Sequence, residues 1–448
     1  MGNNAENIAD TFTGPVFRPG DAGYDEEIAG FQTAYTHRPA LVVGAVHAED
    51  VRAAVEYAAR HGLPVAVQAT GHGLSVAADG GVLISTGRMT TLEIDPAARS
   101  ARIGAGVRAG ALVEAAAAHG LAPLNGSSPS VGVVGYLLGG GIGLLAREFG
   151  YAADHVRAIE LVTADGRVRR LVPGDELFGA VLGSGGNFGV VTAIELGLLP
   201  VAEVYGGQLM FDTPLVERAL DVWRQWTATV PDELTSTVAM LTFPDIPQVP
   251  APLRGRYVAS FRIAFNGSGE EGERLVAPLR AVGERLKDDL RTMPYAESHT
   301  IHSDPDHPHA YAATNALLSE LSGETLSALL SAAGPDSGAD AVIDIRHLGG
   351  ALSNPSETVV NHRDAAYIVR IITDPDDETA AKDKIRTALA PWTVGHSLNF
   401  LYGAGADADE AQTQAGYSGD TYQRLANLKA KYDPHNMFRF NRNIRPAN

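Results

Sequence analysis

Val131-Gly132-Val133-Val134-Gly135-Tyr136-Leu137-Leu138-Gly139-Gly140-Gly141-Ile142-Gly143 interleaves glycine with apolar residues in a way that few folds accommodate. Six of the twelve residues from 132 to 143 are glycine, and each costs about 1 kcal/mol relative to alanine inside a regular helix or strand. Such a run predicts irregular backbone over 132–143, kept bare for a ligand or for unusual torsions. A second such turn lies upstream, Ala69-Thr70-Gly71-His72-Gly73, closing the apolar run PVAVQA (64–69), which reads as a buried strand. Exposed N–H groups in turns of this kind can cradle a diphosphate. Either turn alone is as readily a structural bend as a ligand site. Two of them flanking one α/β unit favour a bound, phosphate-bearing cofactor. The common fingerprints are missing: Gly104-x-Gly106-x-x-x-Gly110 departs from GxGxxG, and neither GxxxxGK[ST] nor GxSxG occurs. A nicotinamide-binding Rossmann domain and an α/β-hydrolase are therefore disfavoured.

The bulk composition agrees with an ordinary globular chain. Its 448 residues are 45% hydrophobic and 20% charged, and the mean hydropathy is -0.03. That length suggests about two or three domains. The formal charge of -18 repels phosphate backbones and anionic lipid, so neither nucleic acid nor membrane is expected as a partner. The absence of cysteine excludes disulfides, thiolate nucleophiles, iron–sulfur clusters and Cys-ligated zinc. MGNNAENIADTF has no basic stretch and no apolar h-region, MGNNAE lacks the Ser or Thr of a myristoylation site, and no apolar run approaches the roughly 20 residues of a spanning helix. A cytoplasmic protein, monomer or homodimer, is the expectation.

Along the chain, strand-like and helix-like stretches alternate for the first 200 residues. A helix is predicted at 49–61, where Val51, Val55 and Ala58 share a face, and a second at 109–119; strands are predicted at 82–85, 101–107, 158–164 and 189–199. Beyond residue 200 the pattern predicts strands at 206–211, 235–243, 257–265, 341–347 and 366–372, with helices at 214–229, 269–286, 313–333 and 377–390. This second region reads as α+β with an antiparallel sheet. A last helix is predicted at 419–432, before Asp433-Pro434.

Taken in order, PVAVQATGHGLS, ARIGAGVRAGALVEAAAAHGL, NGSSPSVGVVGYLLGGGIGLLAREFGYAADHV, LVTADGR, GSGGNFGVVT and YQRLANLKAKYDPHNMFRFNRNI resemble the berberine-bridge-enzyme-like group of FAD-linked oxidases, within the vanillyl-alcohol oxidase (PCMH-type) superfamily. The resemblance spans essentially the whole chain and is strongest over 40–200 and 417–444. It implies an α+β fold with a two-part FAD-binding domain, residues 1–203 and 405–448, and an inserted α+β substrate domain, 204–404, whose antiparallel sheet is covered by helices. In that family the histidine of the first turn is joined to the 8α-methyl of the isoalloxazine ring, and His72 holds that place. Many relatives carry a second link through a cysteine just before the glycine-rich segment. Ser128 stands there in this chain, so a single covalent link is implied. By the same positional likeness Gln68, Ala69, Thr70, Gly71 and Gly73 surround the diphosphate, although this stretch departs from the commoner Arg-Gly-Gly-Gly-His-Ser. Gly132, Gly135, Gly140, Gly141 and Gly143 line the cofactor from the second loop; Gly189 and Val191 match adenine-side contacts, and Asn441 and Asn443 match residues at the pyrimidine end. A C-terminal loop satisfying its own backbone is the alternative account of those two asparagines.

On the substrate side the likeness weakens. Relatives often place a tyrosine, as general base, two residues before an asparagine. Here Ser397 stands at the tyrosine position while Asn399 is kept, a candidate both for catalysis and for contact with the cofactor. A serine takes no proton at neutral pH without help, so either His396, Tyr402 or another residue substitutes, or the substrate needs no strong base, which favours amines and hydroquinones over alcohols. The run His299-Thr-Ile-His302-Ser-Asp304-Pro-Asp306-His307-Pro-His309 has metal-ligand residue types, but its prolines and irregular spacing favour a loop that, with Tyr311, lines the substrate entrance. No metal is expected. Arg346, His347, Arg363 and Tyr367 lie in or beside predicted strands and are candidates to face the ring, against the ordinary reading of polar strand surface. The activity implied is FAD-dependent oxidation of a small organic molecule, in secondary metabolism, with O2 reoxidising the cofactor. Two alternatives stand beside it: reoxidation of a reduced drug or hydroquinone for self-resistance, and a non-catalytic protein that sequesters a small molecule.

Overall fold

The computed structural model describes residues 11–402 and 410–448. The expected domain boundary at 404/405 and residues 1–10 of the stretch read for targeting signals lie outside them. Three sheets organise the described chain. In the first, Val65–Gln68 and Leu41–Gly44 each run parallel to Val82–Ser85, while Val16–Phe17 adds an antiparallel edge. The central strands Leu41–Gly44 and Val82–Ser85 are buried on both faces, as parallel sheets usually are. The second sheet is antiparallel and runs Leu92–Asp95, Ser100–Gly104, Val190–Gly197, Val156–Val162, Val168–Leu171. The turn read at Asp165-Gly166-Arg167-Val168 closes its last hairpin. Helix Ala48–His61 packs Val51, Ala54, Val55 and Ala58 into the core shared by these two sheets, and Gly62 ends it at φ 65.

The third sheet has nine strands and every pairing in it is antiparallel. Its strands alternate strictly. Leu209, Phe261, Val238, Ile343, Ile345, Val369 and Ile371 enter one apolar core with the helices Val216–Thr227, Gly269–Arg280, Gly323–Ala333 and Ala381–Leu389. Period-two geometry sends the intervening residues to the opposite face. That face looks toward the first two sheets, and it carries polar and charged side chains. Helix Gly419–Tyr432 and the segment after it return to the first core, which takes in Leu425, Leu428, Phe438 and Ile444. Lys429 and Asp433, both fully buried, form an ion pair of 2.8 Å there. Lys429 Nζ also donates to the carbonyls of Asn187 and Phe438, tying the C-terminal segment to the GSGGNFG turn.

Two expectations need correction. The helix predicted over 313–333 is a strand, Ala312–Leu318, followed by a helix, Gly323–Ala333. Every residue of that strand is buried, and it pairs with Tyr367–Thr373 and Thr393–Gly395. Tertiary pairing overrides the helical preference of its alanines and leucines. Ser322 starts the helix by accepting from Thr325 N at 3.2 Å. The glycine-rich run is also less irregular than expected, because Val133–Leu138 forms a short helix. It buries Val133, Val134 and Leu137, and the disruption falls on Gly139–Gly143 instead. Gly140 and Gly141 take φ values of 102 and 76, a left-handed region that favours glycine.

Candidate flavin and substrate site

A cavity of about 920 Å3 lies between the first two sheets and the polar face of the third. Its floor is built from the two turns singled out in the sequence, and these touch: Gly132 N donates to Thr70 Oγ1 at 3.3 Å. The first turn needs glycine at 71, with φ 71 and an added Cβ only 2.6 Å from Gly30 Cα. That close approach seats Phe31 against His72, rings stacked with centroids 3.8 Å apart. Thr70 Oγ1 lies 2.9 Å from His72 Nδ1 and Ser130 Oγ 3.0 Å from Nε2. Ser128 Oγ extends this chain to Ser130 at 2.9 Å. Tyr311 Oη donates to the His72 carbonyl at 2.7 Å. Burial first, then Arg108 and His309, pushes the His72 pKa down to about 4, so the imidazole is neutral near pH 7.

Of the residues expected around the cofactor, Gln68, Ala69, Thr70, Gly71, Gly73, Ser128, Gly132, Gly135, Gly189, Val191, Asn399 and Asn441 line this cavity, as do Tyr311, Arg346 and Tyr402. Gly140, Gly141, Gly143 and Asn443 are not among its lining residues. The Gln68 side chain is engaged elsewhere, with Oε1 3.1 Å from His37 Nε2 and Nε2 donating to the carbonyls of Ile28 and Ala29. Asn399 lies against Gly139, and its Nδ2 donates to Tyr136 O at 3.2 Å. His396 and Ser397 line a small separate pocket instead. His396 Nδ1 lies 2.6 Å from the Asn315 carbonyl, while Asn315 Oδ1 accepts from Ser397 N at 2.8 Å. Arg363 is turned away too, paired with Asp154 at 2.8 Å and set over the Tyr151 ring. His347 accepts from Arg147 at 2.9 Å and stacks on Tyr367. In the histidine-rich run, His302, Asp304 and His309 line the cavity, whereas His307 is exposed. Among the described residues, no three His, Asp or Glu side chains gather as a metal-binding group.

The donor set fits a flavin dinucleotide. An added Cβ on Gly73 or Gly135 meets no atom within 4 Å, and neither has a positive φ, so nothing in the chain itself requires glycine there. Val67, on a strand of the first sheet, is 44% exposed because it faces the cavity. Asn441 and Tyr136 line the same space, and Asn441 Oδ1 and Tyr136 Oη are buried without a partner in the chain, where buried polar atoms ordinarily have one. Bare backbone, an apolar slot and unsatisfied polar atoms are what a large ligand with a polar ring edge would cover.

Opposite this floor the third sheet presents residues the motifs did not indicate. Arg262 and Arg370 stand beside Arg346 around Asp344. Burial alone would raise the Asp344 carboxyl, but Arg346, Arg370 and Arg262 hold it below the usual range. Arg370 Nη2 donates to Tyr402 Oη at 2.7 Å, and the guanidinium lies over the Phe400 ring at 4.3 Å. The signal was present in the sequence as single charges inside otherwise apolar strands, Ser260-Phe261-Arg262-Ile263 and Ile368-Val369-Arg370-Ile371.

Comparison with known proteins agrees with this geometry. A family model described as an FAD binding domain matches residues 39–172, and one described as berberine and berberine like matches 404–445. The (R)-6-hydroxynicotine oxidase of Paenarthrobacter nicotinovorans is 29% identical, over 97% of this chain and 97% of its own length. An FAD-linked oxidoreductase of Dictyostelium discoideum is 26% identical over 98% and 96%. The crystal structure of 6-hydroxy-D-nicotine oxidase from Arthrobacter nicotinovorans superposes with a TM-score of 0.84 at 27% identity, covering 99% of this chain and 100% of that one. A chitooligosaccharide oxidase has the same TM-score at 21% identity, over 98% and 99%, which speaks to the fold alone.

Proposed function

Since this chain belongs to the berberine-bridge-enzyme-like, FAD-linked oxidoreductases, we propose that it holds FAD through a single covalent bond to His72 and oxidises an amine or hydroquinone, with O2 as the final acceptor. FAD supplies the two-electron chemistry when bound; the chain binds, orients and shields. The observation that carries the reading is His72 itself, neutral, stacked on Phe31 and fixed by two hydroxyls at the cavity wall. A neutral imidazole has the lone pair that a bond to carbon requires, and hydroxyl partners on both nitrogens set the plane of the ring. Ser128, at the position of the relatives' second link, supports one bond rather than two.

Tyr402 and Asn399 are the polar side chains of the 396–402 stretch that line the cavity. We assign Tyr402 Oη, held by Arg370, to orient the substrate heteroatom. With Ser397 on a separate pocket, the relatives' tyrosine position presents no base to the cavity, which suits an amine or hydroquinone better than an alcohol. The amine reading draws on the nicotine-type oxidases among the relatives. Reoxidation of a reduced drug would use the same site and differ only in which molecule enters it. Anaerobic mixing of the purified protein with a panel of amines, hydroquinones and alcohols tests the proposal. Bleaching of the flavin's visible absorption band by amines or hydroquinones, restored by air, is expected. Bleaching by plain alcohols alone would overturn the substrate assignment. No bleaching by any member would favour a protein that only sequesters its ligand.

A further inference from the structure

The polar face of the third sheet is a two-row charged wall. Register sets Gln208, Arg262, Thr237 and Arg346 side by side on successive strands. The adjacent row places Ser260, Ala239, Asp344, Arg370 and Asn315. Arg262, Arg346 and Arg370 all border the cavity, together with Asp344 and Asp304. The charges do not balance. Asp344 is shared by three guanidiniums, at 2.9 Å from Arg346, 3.0 Å from Arg370 and 3.4 Å from Arg262. Asp304 is the second carboxylate, accepting from Ser127 at 2.5 Å. His302 adds no charge near neutral pH, since burial and then Arg262 push its pKa down to about 3. Lys287 has its own partner, Asp289 at 2.9 Å. Three cations thus face two anions. Arg346 is only 6% exposed, and Arg262 Nε and Arg370 Nε are buried without an acceptor. An uncompensated charge with so little exposure is costly, and a binding site is where such a charge is retained.

We propose that the substrate of this site carries an oxyanion, a carboxylate or phenolate, which docks on the Arg262–Arg346 pair and supplies the missing negative charge. Arginine suits the task because its planar fork matches a two-oxygen anion. Phe400, beneath the Arg346 and Arg370 guanidiniums at 5.2 and 4.3 Å, presents an aromatic surface next to that dock, so a small aromatic acid or an ionised phenol is the best-matched class. The inference rests on the flavin reading of the facing wall. It deepens that reading by naming what the substrate must bear.

The holoenzyme is titrated with benzoate, with 4-nitrophenolate and with the neutral isostere benzamide, each followed by perturbation of the flavin absorption band. Saturable perturbation by benzoate or by 4-nitrophenolate is expected, at least about tenfold tighter than by benzamide; which of the two binds tells carboxylate from phenolate. Arg346→Met should weaken that anion at least about tenfold, and Arg346→Lys should recover part of it. Equal binding of benzamide and both anions would overturn the inference without needing any variant. So would an Arg346→Met protein that binds the anion normally while its flavin midpoint potential falls, because the charge would then serve the flavin ring. Absence of bound flavin in the wild-type protein would be a failure of the flavin reading and is scored separately, by the colour of the purified protein.

Discussion

His72 illustrates how little space separates a structural histidine from a cofactor anchor. Its ring touches Phe31 on one face and hydroxyls at both nitrogens, and it stands on a turn that exists because Gly71 meets Gly30 at a distance no Cβ tolerates. Gly71→Ala is therefore expected to disturb the turn itself, lowering the melting temperature and the covalent flavin content together. Gly135 makes the contrasting prediction. An alanine methyl there meets nothing in the chain, so the stability of Gly135→Ala should stay within about 1 kcal/mol of wild type while the protein carries several-fold less flavin, measured by the ratio of visible flavin absorbance to protein absorbance. Normal flavin content in Gly135→Ala would mean that this glycine does not face the cofactor.

At the scale of elements, the sequence was most legible where one local rule decided the outcome. Helix Ala48–His61 has its apolar face, and Gly62 stops it at φ 65; helix Gly419–Tyr432 coincides with its predicted span. The stretch 313–333 reads as one helix, but the strand Ala312–Leu318 owes its geometry to neighbours almost 50 residues or more away rather than to its own preferences. The glycine turns announced a ligand, whereas Arg262 and Arg370 stayed hidden. A charge on a strand usually means solvent, and only the packing of two sheets turns that face into a cavity wall. The capping residue of the second half gives a measurable consequence: Ser322→Ala should cost about 1 kcal/mol through loss of the Thr325 N hydrogen bond, seen as a shifted denaturation midpoint without a change in bound flavin.

Across the whole molecule, several histidines are folded into places that resist protonation. Burial lowers the pKa of His72 to about 4 and those of His302 and His347 to about 3, and it lowers His37, His362 and His396 as well. The unfolded chain takes up protons at these rings near their ordinary value of 6.5, where the folded one refuses them. Between that value and about 4 the unfolded state binds more protons, so stability is fully present above it and is lost as pH falls. Thermal melting at pH about 7.5 and about 5.5 should show a lower midpoint at the acid pH; an unchanged or higher midpoint would mean that the rings are open to solvent. The buried Lys429–Asp433 pair makes the same point about assembly. It binds the C-terminal helix to the turn around Asn187, and Lys429→Met, which strands a buried carboxylate, should destabilise the protein by about 3–5 kcal/mol in chemical denaturation.

Everything proposed for this site depends on a flavin fixed to the chain through His72 alone. Acid precipitation of the purified protein, followed by mass analysis of its peptides, tests it most directly. The yellow colour is expected to stay in the pellet, with the flavin mass on the peptide containing His72 and none on the peptide containing Ser128. Colour released quantitatively to the supernatant, or a flavin mass on any other residue, would contradict it.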